Sequence, residues 1–177
     1  MVAFKFRLTE EEYYQYNYYT AWASPGKKTF RAWYFLRVLL LYAAVALLYI
    51  IASRNHNFWV DISVFLITGF VYLFLVPVFV KRSVRKRVKD ILSKKENQHV
   101  LDESEIVLSS TGIIDKDTLS ESRYAWDAIV LFADTPESYY LYTNSYHAIV
   151  IPKRVIKTEE EQKETERLLN KHLPLQA

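Results

Sequence analysis

The chain has 177 residues, 51% hydrophobic and 16% aromatic, with 23 Lys and Arg against 20 Asp and Glu for a net charge of +3. It holds no cysteine and only three glycines, which excludes disulfides, thiolate metal sites and thiol chemistry and leaves too few glycines for a phosphate-cradling loop. One ordinary domain fits this length, yet roughly fifty residues fall in a hairpin of two apolar runs with the length and purity of membrane spans.

In chain order, Val2, Phe4, Phe6 and Leu8 alternate with Ala3, Lys5 and Arg7, the period of a half-buried strand. So short a strand needs a sheet to join, and the sequence leaves open whether its own chain or a neighbour provides it. Thr9 with Glu12 three residues on is a capping box, and Glu10 and Glu11 suit the positive end of a helix dipole. A helix is therefore expected over Glu10–Ala23, stopped by Ser24-Pro25-Gly26. Tyr13, Tyr14, Tyr16, Tyr18 and Tyr19 surround it rather than forming a stripe. Two readings stay open: an interfacial helix touching headgroups, or a plain packing helix of a cytoplasmic domain.

The apolar runs cover residues 33–52 and 60–80, each about the ~20 residues needed to cross a bilayer core. Only Arg37 interrupts the first, and in the second no charge lies from Ile62 to Val80. The short connector SRNHNFWVD forces the two helices to return as an antiparallel hairpin. A soluble hairpin would carry a polar face at helical spacing, but from Ile62 to Val80 the only polar side chains are Ser63, Thr68 and Tyr72. Gly69 permits close approach of the first helix, and Pro77 sits near the end of the second run, where it can bend the last turn.

Charge sets the orientation. Lys27, Lys28 and Arg31 precede the first span. Lys81, Arg82, Arg85, Lys86, Arg87 and Lys89 follow the second, while the connector offers Arg54 opposed by Asp61. Basic flanks stay inside, so both termini are expected in the cytoplasm and the chain in the cell membrane with two spans. Trp22, Trp33 and Tyr34 then lie at the inner boundary and Phe58 and Trp59 at the outer one, where amphipathic rings are favoured. Arg37 can run its stem along the helix to the inner headgroups.

The basic helix is expected to continue to Lys95. Lys81–Lys95 carries eight basic residues and one acidic, a net +7, whereas Glu96 to the end carries eight basic and fifteen acidic, a net −7. The first part should rest on an anionic inner leaflet, each Lys or Arg contributing on the order of 1 kcal/mol, and the second should be held away from it. No aromatic interrupts the basic run for base stacking, so nucleic acid is not an expected partner.

From Glu105 the pattern becomes short strands: EIVLSS, SESRYAW, DAIVLFA, SYYLYT and HAIVIP. Asp115-Lys116-Asp117, Asp134-Thr135-Pro136-Glu137 and Thr143-Asn144-Ser145 are the expected turns. A second capping box, Thr158 with Glu161, opens a last helix that ends before Pro174 and turns Leu168, Leu169 and Leu173 towards the sheet. The fold class is thus an α+β membrane protein: a two-helix transmembrane hairpin plus a small antiparallel β-barrel or curved sheet capped by a C-terminal helix. Its parts are residues 1–31 (strand and interfacial helix), 32–80 (hairpin), 81–98 (basic juxtamembrane helix) and 99–177 (cytoplasmic β domain).

Catalytic constellations are missing. His56, His99, His147 and His172 show no HExxH spacing, and Ser109, Ser110 and Thr111 before Gly112 form no nucleophile elbow. The expectation is a non-enzyme with no metal and no cofactor.

The order of an aromatic N-terminal strand, the helix start LTEEEYYQY, a two-span hairpin, then STGI, YAWDAIVLFADTPESYYLY and AIVIPKRVI resembles the YcxB-like bacterial membrane proteins over nearly the whole length. The motif positions are Gly112 and Ile113, Trp126 in a strand, Tyr140 and Tyr142, and Pro152, Lys153 and Arg154, with Ile156 standing where an aromatic is common. The resemblance implies a cytoplasmic domain like a pleckstrin-homology barrel and implies no chemistry. Read as residues, Trp126 fills the core or seals one end, and Pro152 ends a strand where its missing N–H costs least. Lys153 and Arg154 are either a solvated strand end or a headgroup contact.

Two functions of different class follow. The first is a non-enzymatic module held at the inner leaflet. It binds a lipid headgroup, a peptide, a membrane-protein partner or a second copy of itself, with Lys153, Arg154, Arg82, Arg85, Lys86 and Arg87 as contacts. The alternative is an accessory subunit of a transport or export complex working through the hairpin.

Overall fold

A computed structural model describes residues 1–52 and 57–173. The connector residues Arg54 and His56, the side chain of Phe58 and the expected stop at Pro174 lie outside that description. The chain divides into two compact units, Met1–Thr20 with Arg87–Ala177, and Ala21–Lys86.

The first unit holds two antiparallel sheets. One is four-stranded, in the order β1 (Val2–Arg7), β2 (Glu103–Leu108), β3 (Ile113–Lys116) and β4 (Glu121–Tyr124); the other joins β5 (Leu131–Asp134), β6 (Ser138–Tyr142) and β7 (Ala148–Pro152). The N-terminal strand therefore pairs within its own chain, Val2 opposite Leu108 and Arg7 opposite Glu103. Its alternation buries Val2, Phe4 and Phe6 and exposes the residues between them. Among the described residues the two sheets are separate, so the curved-sheet form of the expectation holds and the closed barrel does not.

One strand was not expected. Ile113–Lys116 pairs with β2 on one side and β4 on the other, so Asp115 and Lys116 belong to a strand and the turn begins only at Asp117. Asp117 makes that turn by accepting the N–H groups of Leu119 and Ser120 at 2.7 and 2.6 Å, the local bonding that favours Asp in turns. Trp126 likewise falls outside a strand, in the short 3-10 turn Trp126–Ala128 after β4.

The inner faces of both sheets share one core. Phe4, Ile106, Leu108 and Ile113 meet Leu141, Ile149 and Ile151, and helix α4 (Glu159–His172) adds Leu168 and Leu169, with Leu173 just beyond it. Both bonds of the Thr158–Glu161 capping box are present. Strand β6 is buried along its whole length. Tyr139 and Leu141 face that core, while Tyr140 and Tyr142 turn to a second cluster with Ala148, Val150 and Tyr16. Tyr16 belongs to helix α1 (Glu10–Tyr18), whose N-terminal capping box is also complete. The helix is shorter than expected, because a π-helical turn takes over from Tyr19 to Ala23.

The second unit contains α2 (Lys28–Ala52) and most of α3 (Phe58–Leu92). Both are long and apolar enough to cross a membrane, and none of the most apolar stretch of α2 is buried. Leu41, Ile51 and Leu66 are each about two-thirds exposed, at 68%, 72% and 69%. A soluble protein hides such helices in its core; left in water they would make an apolar patch far beyond the few hundred Å² that soluble monomers show. The chain has the build of a membrane protein. Within the pair, the Tyr42 ring lies over Gly69, where an added Cβ would sit 3.3 Å from it. The Tyr42 hydroxyl bonds the Phe65 carbonyl at 3.2 Å and the Thr68 hydroxyl. Pro77 lies inside α3, which stays helical through it.

Candidate binding surfaces

On α3, Arg82, Arg85, Lys86 and Arg87 are exposed, Val84 is half-buried and Val88 is buried. Helical spacing explains the split: Val84 and Val88 share one face, and Arg82, Lys86 and Lys89 share another. Trp33, Arg37 and Trp59 are exposed in the second unit. Trp22 stands edge-on to Tyr34 at 5.8 Å. The Arg31 guanidinium donates to the Trp22 and Ser24 carbonyls, satisfying groups that a helix end leaves open.

Lys153 and Arg154 come together in a 3-10 turn after β7, yet each is engaged internally. Lys153 Nζ lies 2.6 Å from Asp134 Oδ1 and 4.6 Å from the centre of the Tyr139 ring. Arg154 reaches Glu12 with two nitrogens, at 2.6 and 2.9 Å, and donates to the Arg7 carbonyl at 2.7 Å. Burial pushes the Glu12 carboxyl up, but the Arg154 bond and the Thr9 bonds win and hold it below its ordinary range. The pair thus ties α1 and the end of β1 to the far sheet.

Gly112, Trp126 and their neighbours are equally structural. Ser109 Oγ accepts from the Gly112 N–H at 3.2 Å and donates to the Gly112 carbonyl at 2.9 Å. A Cβ on Gly112 would overlap the Tyr124 carbonyl oxygen. Trp126 is buried, donates its ring N–H to the Ser109 carbonyl at 3.0 Å and stacks on His172 with 4.9 Å between ring centres. Tyr140 and Tyr142 are buried beneath Tyr16, and burial pushes both hydroxyls up. Pro152 is buried at the end of β7.

The first unit also holds a cleft of about 370 Å³ that sequence reading missed. Its walls come from β1, α1, the 3-10 segment Lys95–Leu101, β2, β3 and the β6–β7 turn, and include Tyr13, Tyr16, His99, Asp115, Asp117 and Tyr146. Among the described residues no lysine or arginine lines it. The Tyr16 hydroxyl fixes one wall by donating to the Tyr146 carbonyl at 2.6 Å and accepting from the Ala148 N–H at 3.2 Å. A signal for Asp115 emerges only once β3 is known to be a strand. Taken as a strand, Ile113 and Asp115 share a face, and Ile113 is core.

Residues 108–169 match the family model described as YcxB-like protein, the family that the sequence resembles. The match runs from the end of β2 into α4 and includes Gly112, Trp126, Tyr140, Tyr142 and Pro152–Arg154. The hairpin and the basic run lie outside it. No curated protein and no solved structure matches the chain.

Proposed function

We propose that the chain is a non-catalytic, two-span protein of the inner membrane that holds a small binding domain at the cytoplasmic face. The observation that carries this reading is helix α3, free of charge from Ile62 to Val80 and then, with no break in the helix, rich in Lys and Arg from Lys81 to Lys89. A helix of that pattern places its charges where the bilayer ends. Both termini lie inside, and Arg82, Arg85, Lys86 and Arg87 rest on anionic headgroups. Lys153 and Arg154, already ion-paired, are assigned to holding the domain together. The count of four and three strands with a C-terminal helix supports a pleckstrin-homology-like domain.

Alkaline carbonate should leave the chain in the membrane pellet. Native mass spectrometry from mild detergent should retain phosphatidylglycerol on the wild type and lose it when the four collar residues become Gln. A chain released by carbonate, or one whose retained lipid ignores the substitutions, would sink the reading.

A further inference from the structure

We infer that the cleft between the sheets is a binding site for an organic cation carrying a primary ammonium. The inference rests on the binding-module reading and names the chemistry of its ligand.

Three observations point there. First, Asp115 stands on the inner face of β3 beside the core residue Ile113, opposite Ile106 of β2. Asp115 is half-buried there and lines the cleft, so its carboxyl is partly desolvated while still open to a ligand. Second, no described residue bonds it. Among the described residues Asp115 makes no hydrogen bond or ion pair, whereas Glu12, Glu103, Asp134 and Glu164 are each paired with a cation. Burial and the nearby Asp117 charge both push its carboxyl up, with only His147 opposing them. Third, the cleft is shaped for a small molecule. Its volume of about 370 Å³ falls within the ~300–1,000 Å³ of ligand pockets. It has a second carboxylate in Asp117, which backbone N–H groups hold below its ordinary range. Tyr13, Tyr16 and Tyr146 line it, aromatic side chains of the kind that attract a cation.

The same chemistry argues against other ligands. An anion would enter beside two carboxylates with no lysine or arginine among the described lining residues to meet it. A bare metal ion does not fit, because no three His, Asp or Glu side chains among the described residues converge closely enough to hold one. An ammonium on an alkyl stem uses both features: the charge between the carboxylates, the methylenes against Phe6, Leu8 and Val100.

The test uses the full chain in mild detergent, titrated by calorimetry with spermidine and separately with a blocked Gly-Lys-Gly peptide, with melting temperature read alongside. Saturable binding of spermidine that raises the melting temperature and weakens about tenfold or more in Asp115→Asn supports the site. Preference for the peptide supports it too, and identifies a partner's lysine as the source of the ammonium. Should Asp115→Asn fail to fold, Tyr146→Ala decides, since Tyr146 is 81% exposed and lines the cleft; its expected effect is weakened binding. Absence of saturable binding by either probe, or unchanged affinity in the variants, overturns the site. Neither result bears on carbonate extraction or lipid retention, so the membrane reading stands or falls separately.

Discussion

Arg154 is the residue on which the first unit turns. Its guanidinium closes a bidentate pair with Glu12, 142 positions earlier, and reaches the last carbonyl of β1. Arg154→Ala leaves Glu12 largely buried without its cation. The expected cost is about 1–3 kcal/mol, towards the low end because half of the Arg154 side chain faces water. Urea unfolding in detergent would measure it, and a cycle with Glu12→Gln would isolate the pair. An unchanged midpoint would show that the clamp is ornamental.

The same carboxylate makes a pH prediction. The Glu12 carboxyl is held below its ordinary value of 4.5, and Arg167 and the N-terminus hold the exposed Glu164 down to about 2. A carboxyl depressed in the folded state contributes stability above its unfolded value and loses it as pH falls through the folded one. Melting temperature should therefore fall from about pH 4.5 towards pH 2, and less steeply in Arg154→Ala, where Glu12 loses its partner. Asp115 acts in the opposite sense. Its raised carboxyl makes the charged form a burden as pH rises, so Asp115→Asn should be at least as stable as the wild type at neutral pH.

At the scale of the element, the β2–β3 turn is the most constrained. Gly112 passes so close to the Tyr124 carbonyl that any Cβ must displace backbone, and the Trp126 ring N–H is bonded to the same turn through Ser109. Gly112→Ala should cost about 1–3 kcal/mol, read as a lowered thermal midpoint with near-ultraviolet dichroism reporting a loosened Trp126. Elements like β1, α1 and α4 were legible because their signals are local: strict alternation in one, a capping box in each of the others. Strand β3 was not legible. Its sequence, Ile113-Ile114-Asp115-Lys116, shows two apolar residues and then turn-like polar ones, and its strand character comes from pairing on both sides. The cleft was hidden for the same reason, since Asp115 read as a turn residue has no inward face. The partners of Lys153 and Arg154 were equally out of reach, because no spacing rule connects residues 12 and 154.

For the whole molecule, orientation in the bilayer is the property on which the proposal depends. In the proposed orientation the inner side carries Lys27, Lys28 and Arg31 at the start of α2 and the basic run after Val80. Each collar cation contributes on the order of 1 kcal/mol near an anionic leaflet, so neutralising Arg82, Arg85, Lys86 and Arg87 removes about 4 kcal/mol, or about a thousandfold in preference. Three charges at the start of α2 then remain, and a mixed population is expected instead of one orientation. The chain has no cysteine, so a single Gln162→Cys on the exposed side of α4 is a label without background. With the collar intact, an impermeant maleimide should reach that thiol only after the cells are lysed. With the four residues changed to Gln, a fraction should be labelled in intact cells. Labelling of that thiol in intact cells with the collar unmodified would invert the topology and place the ammonium cleft on the outer face, where lipid contact by the basic run would have to be argued against the positive-inside rule.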